Sequence, residues 1–364
     1  SPAAIRRNAD DSQNAEPEIS TAENYLARMQ PLKDIAVVGA GIAGLSCATA
    51  LQAAGHRVRV FDKSGGTSGR MSTRRGEGWQ CDHGAQFFAA DHPEFAAEVA
   101  RWRQGGVAAP WTPRLRVEAG ALLRARSSGT WHVGVPRMTA PARWLSATCT
   151  LSTKTTINGI TQAEQRWQLH SAEHGALDQT FDAVVLAIPA PQAEPLLRTA
   201  APGLRELAGR VPMQGCWALM ARFAAPLVLE FDAAAFADGP LAWVARDNSK
   251  PGREGAETWL LHASTEWSET HIEAGADFVG ASLLQAFREL SDATPQAWTA
   301  HRWRYASGSV QLQQACAWRA ELRIGLCGDW LNGGDVQGAW LSGRALAAQI
   351  LQSTQIQSSG AVHA

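Results

Sequence analysis

The chain has 364 residues, 45% hydrophobic and 18% charged, with a formal net charge of -1. That balance describes an ordinary globular protein with length for two lobes and substantial cores. Dispersed arginines and near-zero charge exclude a nucleic-acid surface, and no uncharged apolar run approaches a membrane span.

In chain order, residues 1–30 are polar, without apolar periodicity and without the apolar core of a signal peptide. They read as a disordered leader or a tag ahead of a natural start at Met29, or as a genuine disordered tail. The chemistry begins next. Ile35 to Val38 is a short apolar run suited to a buried parallel strand. Gly39, Gly41 and Gly44 follow at the spacing of a phosphate-binding turn: one for the tight turn, one for backbone approach to a pyrophosphate, one for close packing of helix on strand. The N–H groups and dipole of the helix that starts there, at Ile42 and Ala43, favour phosphate charge. Arg57 to Phe61 is the second strand, and Asp62 at its end suits a ribose 2′-hydroxyl. With both strands, helix and acid in register, an ADP moiety is expected here. Beyond Lys63, the loop Gly65 to Met71 carries Gly69 and Arg70 where an arginine can reach back to phosphate. The whole stretch from Gly39 to Arg74 resembles the FAD-binding start of the amine-oxidase-like flavoproteins.

Asp82 to Phe88 reads as a strand leaving the cofactor lobe, and His92 to Trp102 as a helix with Pro93 in its first turn. Val133 to Met138 introduces a helix-like region through Leu145; Leu151 to Ile160 and Arg166 to Ser171 alternate like sheet strands. Ala183 to Ile188 is a further buried strand ended by Pro189, and Trp217 to Phe223 and Thr258 to Ser264 supply strands of a second lobe. Leu322 to Asp329 is a strand that delivers Asp329 to a sugar-like hydroxyl chain; a glycine-rich turn then opens a helix over Trp340 to Leu351. Paired with the first fingerprint, this second Gly-Asp element points to FAD. The predicted fold is α/β with an α+β second lobe: a Rossmann-like FAD-binding domain (33–86, 133–190, 301–352) interleaved with a mixed-sheet substrate domain (87–132, 191–300), then a tail over 353–364. The six cysteines show no CxxC pairing, so reduced thiols in a cytoplasm are expected.

The run Cys327 to Gly343 resembles renalase, particularly its bacterial members; so do Asp82 to Phe87, Arg246 to Pro251, Trp259 to Ser264 and Trp303-Arg304, in the same order. The resemblance implies a flavin oxidase of 2-dihydro- and 6-dihydro-isomers of NAD(P), with hydride passing to FAD and O2 reduced to hydrogen peroxide. By family position His262 and Trp303 line the substrate slot, with Phe87, Asn248 and Gln86 beside the flavin. Trp303 and Phe87 are assigned to stacking, His262 and Asn248 to hydrogen bonding, although each also has an ordinary core role. Around the flavin the resemblance adds Met71, Gly84, Ala85 and Ile157, and near the second element Gly328, Val336, Gln337, Gly338 and Ala339. No cysteine directly precedes an aromatic near the C-terminal motif, so FAD is expected to be noncovalent. No metal site is expected, and a monomer is.

Two rivals stand beside this reading. A flavin amine oxidase would use an aromatic cage and commonly a lysine–water arrangement; of the four lysines, Lys63, Lys154 and Lys250 have better loop or strand explanations. A non-catalytic flavin-binding regulator would be expected to lose the Gly-Asp element or the aromatic pocket, and neither is lost.

Overall fold

The computed structural model describes residues 32–121, 129–310, 312 and 314–360, so the expected leader lies outside the described residues. Asp34–Val38 is the pivot of the first sheet. It pairs in parallel with Arg57–Phe61 on one side and Ala183–Leu186 on the other; Ile324–Leu326 and Thr150–Ser152 extend the sheet, and Ala317–Arg319 closes one edge antiparallel. The period-2 geometry of a strand divides its side chains between two cores. Ile35 and Val37 pack with Leu45 and Leu51 of the helix Ile42–Ala53 and with Leu346 and Ile350 of the helix Val336–Gly360. Ala36 and Val38 face Trp167 and Leu169 of a three-stranded antiparallel sheet, and Leu196 and Leu204 of two short helices. The long helix is fastened to the first by Ser46, whose Oγ donates to the Trp340 carbonyl at 2.8 Å.

The second large sheet is antiparallel but for one edge, in the order Ala297–Gly308, Met213–Phe223, Glu257–Ala263, Leu241–Arg246, Ala233–Ala235, Leu115–Val117. Helix Ala276–Phe287 covers one face, burying Leu219, Trp259 and Leu261 against Val279, Leu283 and Phe287. This mixed α/β arrangement, a Rossmann-like sheet beside a separate antiparallel one, is the fold class expected. The division at residue 301 falls inside the strand Ala297–Gly308, so Trp303 reaches the site from the antiparallel sheet.

Four local expectations change. The region introduced at Val133 opens as the short strand His132–Gly134, and its helix is Ala140–Ser146. The strand at Asp82 is Trp79–Asp82, paired with Thr73–Gly76, and it stops where Asp82 is seized by other partners. Leu151 to Ile160 divides between two sheets, as Thr150–Ser152 and Ile157–Ala163, the chain turning at Lys154 with φ 53°. The last helix starts at Val336, not Trp340, because the Asp335 carboxylate accepts from Gly338 N at 2.6 Å and caps it. The helix at His92 behaves as expected: it spans Pro93–Gln104, with His92 accepting from Glu94 N. All six cysteines are free, and Cys47, Cys81, Cys316 and Cys327 are buried.

A buried charge cluster holds the Thr73–Asp82 hairpin to the antiparallel sheet. Arg253 reaches the Asp82 carboxylate at 2.6 Å, and Lys250 lies 3.3 Å from both Asp82 and Asp247. Lys250 also donates to the Gln86 amide oxygen at 3.0 Å. Thr73 Oγ1 and Met138 N donate to the same Asp82 carboxylate, while Asp82 N donates to Asp247. Burial alone would raise the Asp82 pKa, but the Lys250 and Arg253 charges outweigh it and bring it down to about 2. For Asp247 burial wins, reinforced by the Asp82 charge, and its pKa is raised. Removing one member leaves an uncompensated buried charge. Lys250→Met is therefore expected to cost about 3–5 kcal/mol of stability, read from chemical denaturation of the FAD-loaded protein; a loss below about 1 kcal/mol would show that the cluster is not a fastening.

Candidate functional site

The site has two halves, meeting at residues 70 and 83–86. In the first, Gly39 turns the chain with φ +110°, and a Cβ there would sit 2.4 Å from the Ala187 carbonyl oxygen. Gly44 lies against the Gly39 carbonyl, while the outer side of Gly41 faces open space next to Gly69. The helix beginning at Ile42, Ala43 and Gly44 has no side-chain cap, so its first N–H groups point toward that space. Asp62 is set against the turn: its carboxylate accepts from Ala40 N at 2.8 Å and Ser64 N at 2.7 Å. Lys63 is exposed at the rim, and Ile157 is buried among Val38, Phe61 and their neighbours.

Across the same opening, the second Gly-Asp element is anchored by Ser342, which accepts from Gly328 N at 2.9 Å. Arg70 and Asp329, separate candidates in the sequence, form a two-pronged ion pair; Arg70 also donates to the Ala306 carbonyl at 2.9 Å. Met71 is buried behind them. Gln337 directs its amide oxygen to Asp91 N and His92 N, 2.8 Å each, so its side chain braces the next helix; Val336, Gly338 and Ala339 supply the backbone of the helix start. An open glycine turn, an uncapped helix, an acid at the second strand and an arginine–acid pair opposite make a cradle with the donor and acceptor set of a dinucleotide.

The second half is built around one backbone carbonyl. Ala85 N donates to the Arg70 carbonyl at 2.9 Å, and a Cβ on Gly84 would lie 2.0 Å from that oxygen, so only glycine fits there. The loop thus presents the His83 carbonyl, which accepts from Trp303 Nε1 at 2.8 Å and from His262 Nε2 at 3.0 Å. Because a carbonyl only accepts, His262 carries a proton on Nε2 and donates it to His83. Trp303 stacks on the His83 ring at 5.0 Å, and His301 stands edge-on to both. His83 and His301 were not singled out in the sequence. The available signal was period: His301 and Trp303 alternate on one strand, and His301 shares with His262 the strand partner Ala218.

Next to His262, Trp243 pairs across the sheet and opens an aromatic wall. Phe87 stacks on Trp131 at 3.8 Å and lies 6.2 Å from Trp111 and 5.9 Å from Trp243. Gln86 and Asn248 are engaged with backbone: Gln86 Nε2 donates to the Asp82 carbonyl at 2.7 Å, and Asn248 Oδ1 accepts from Thr258 N at 2.8 Å. Both hold backbone, the ordinary role that the sequence left open for them. Among the described residues no group of His, Cys, Asp and Glu is arranged to hold a metal ion, and no helix is long and apolar enough to cross a membrane.

Comparison with known proteins agrees with this geometry. Residues 37–102 match an NAD(P)-binding Rossmann-like domain, and residues 137–351 match the flavin containing amine oxidoreductases. The second match spans more than half of the chain, which belongs to that family of flavoprotein oxidoreductases. An L-amino-acid oxidase from Siganus canaliculatus is 38% identical over 79 residues, 21% of this chain and 15% of the relative. The tRNA 5-methylaminomethyl-2-thiouridine biosynthesis bifunctional protein MnmC from Magnetococcus marinus is 30% identical over 202 residues, 44% of this chain and 30% of the relative. The chain thus matches well under a third of the first of these curated relatives and just under a third of the second. Among solved structures, cyclohexylamine oxidase from Brevibacterium oxydans superposes with a TM-score of 0.69 at 14% identity, covering 88% of this chain and 99% of that one. A putrescine oxidase gives 0.66 at 12%, with the same coverage. At such identities the likeness is one of fold.

Burial, followed by the neighbouring His301, His262 and Arg74, lowers the His83 pKa to about 3, and burial with Arg74 lowers that of His301. An unfolded histidine titrates near 6.5. Below that pH the unfolded chain takes up a proton that native His83 refuses, so stability falls as pH drops from 6.5 toward about 3. The slope from His83 is expected to approach about 1.4 kcal/mol per pH unit, with no contribution above the window. His83→Leu should flatten the wild-type loss of Tm between neutral and mildly acidic pH. Parallel curves would place the acid sensitivity elsewhere.

Proposed function

We propose that this chain is an oxidase of the renalase type, taking hydride from 2-dihydro- and 6-dihydro-NAD(P) and releasing β-NAD(P)⁺. Noncovalently held FAD would supply the hydride acceptor and the route of the electron pair to O2, giving hydrogen peroxide with solvent protons. Gly41, the helix start at Ile42 and Ala43, Asp62, Gly69, Arg70 and Asp329 would hold it. The observation that carries the reading is the shared His83 carbonyl, which fixes Trp303 and His262 side by side as one wall. Hydride transfer between two ring systems depends on orientation and exclusion of water, with little acid–base work. The remaining tasks fit the residues present. Trp303 offers a ring face, and His262 beside it offers a polar ring edge for a carboxamide. The buried histidines stay uncharged beside a substrate ring that becomes cationic as hydride leaves.

A flavin amine oxidase is the second reading, favoured by the aromatic wall of Phe87, Trp111, Trp131 and Trp243. Against it, the Lys250 ammonium is bound to Asp82, Gln86 and Asp247, which leaves it no role in a lysine–water arrangement.

Anaerobic stopped-flow against 2-dihydro-NAD(P), 6-dihydro-NAD(P), ordinary NADPH and benzylamine separates these readings. Rapid bleaching of the flavin by the isomers with release of β-NAD(P)⁺ is expected, and about tenfold slower bleaching in His262→Ala if one substrate hydrogen bond is lost. Bleaching by benzylamine alone would transfer the protein to the second reading. Asp329→Ala should weaken FAD retention on dialysis, and retention of a full complement of FAD would remove Asp329 from the cradle.

A further inference from the structure

On the outer side of the Thr73–Asp82 hairpin lies a groove of about 1040 Å³, lined by Arg74, Arg75, Trp79 and Gln80, by Arg137, and by Glu254 on the opposite lip. Three cations thus face one carboxylate. Arg137 is half-buried and anchored, its Nε donating to Gln80 Oε1 at 2.7 Å. The Arg74 and Arg75 guanidinium groups are exposed and make no ion pair or hydrogen bond among the described residues. Arg74, Arg75 and Arg137 against Glu254 alone give the groove lining a net positive charge, which suits an anionic ligand.

The groove is close to the candidate site. Arg74 pairs across the hairpin with Cys81, two residues before His83, which sets the groove and the His83–Trp303 stack on the order of 10 Å apart. The Arg74 charge is felt at both His83 and His301, lowering the pKa of each. That separation is about the reach from a nicotinamide ring to the phosphates of its own dinucleotide.

We infer that the groove of Arg74, Arg75 and Arg137 is the docking subsite for the adenosine-diphosphate arm of the substrate, outside the cofactor cradle. The inference rests on the dinucleotide reading for the choice of ligand, and its geometry is independent of turnover. Arg74 and Arg75 supply paired N–H donors to phosphate oxygens, while anchored Arg137 fixes the position along the groove. Such contacts bind ground state and transition state alike and set affinity for the dinucleotide arm.

The test is calorimetric titration of the FAD-loaded protein with ADP-ribose, so that the cofactor cradle is already filled. Wild type is expected to bind, the double variant Arg74→Gln, Arg75→Gln to bind roughly tenfold or more weakly, and Glu254→Gln to bind more tightly. Tightening on removal of an acid is a result that a folding defect does not produce. Raising salt should weaken ADP-ribose binding and the dinucleotide's Kd in flavin reduction, but not that of a dihydronicotinamide riboside lacking phosphates. Absence of ADP-ribose binding by wild type, or equal affinity in the arginine variant, would overturn the subsite. If ADP-ribose binding follows the arginines while no dihydronicotinamide isomer reduces the flavin, the subsite stands and the proposed activity falls.

Discussion

Asp82 is the constraint from which the site geometry follows. Four ionisable side chains, Asp82, Asp247, Lys250 and Arg253, are withdrawn from water at one point, an arrangement that is unfavourable unless most lone pairs and protons are matched. Here the matching is made by three separate stretches of chain: the hairpin strand, the turn after Leu241–Arg246, and Met138 on the far side. The next residue is His83, whose carbonyl orients Trp303 and His262. A polar fastening with one low-energy geometry fixes that carbonyl more narrowly than apolar packing would, because hydrogen bonds are directional. Unmatched atoms remain within it, Asp247 Oδ2 and Arg253 Nε, which have no hydrogen-bond partner among the described residues.

The cofactor cradle was legible in the sequence to a degree that the slot was not. Gly39, Gly41, Gly44 and Asp62 act within one local unit of strand, turn, helix and strand, so spacing alone defines their geometry. Period-2 and apolar runs also gave the central strands, because those are buried on both faces. Failures came where distant partners decide. Nothing local says that Asp82 ends its strand, whereas the Asp335 cap on Gly338 N and the hairpin of Gly175–Phe181 with Arg166–Ser171 are local signals that apolar spacing passes over. The Arg70–Asp329 pair joins residues 259 positions apart, and no single-sequence pattern links them.

The slot's character follows from charge as much as from shape. His83 and His301 are uncharged because burial and a nearby arginine both oppose protonation. The same arginine stands at the edge of an exposed, cation-rich groove. The Arg74 charge thus acts on the two histidine rings, and a second cation, Lys250 Nζ, lies 5.4 Å from the centroid of the Trp111 ring in the aromatic wall. Phe87 and Trp131, in near face-to-face contact, make that wall stiff as well as apolar.

The order of strands in the first sheet has a bearing on how the chain comes to be folded. Ile324–Leu326 lies directly beside Ala183–Leu186, which lies beside Asp34–Val38, so the middle of this sheet is assembled from segments separated by most of the described sequence. During synthesis the edge at Val184 and Leu186 therefore waits, unpaired and apolar, until residue 326 has left the ribosome. Such a topology delays closure of the Asp329 side of the cradle and leaves a sticky strand edge exposed meanwhile. The antiparallel sheet has no comparable delay between Met213–Phe223 and Glu257–Ala263, the strand that carries His262.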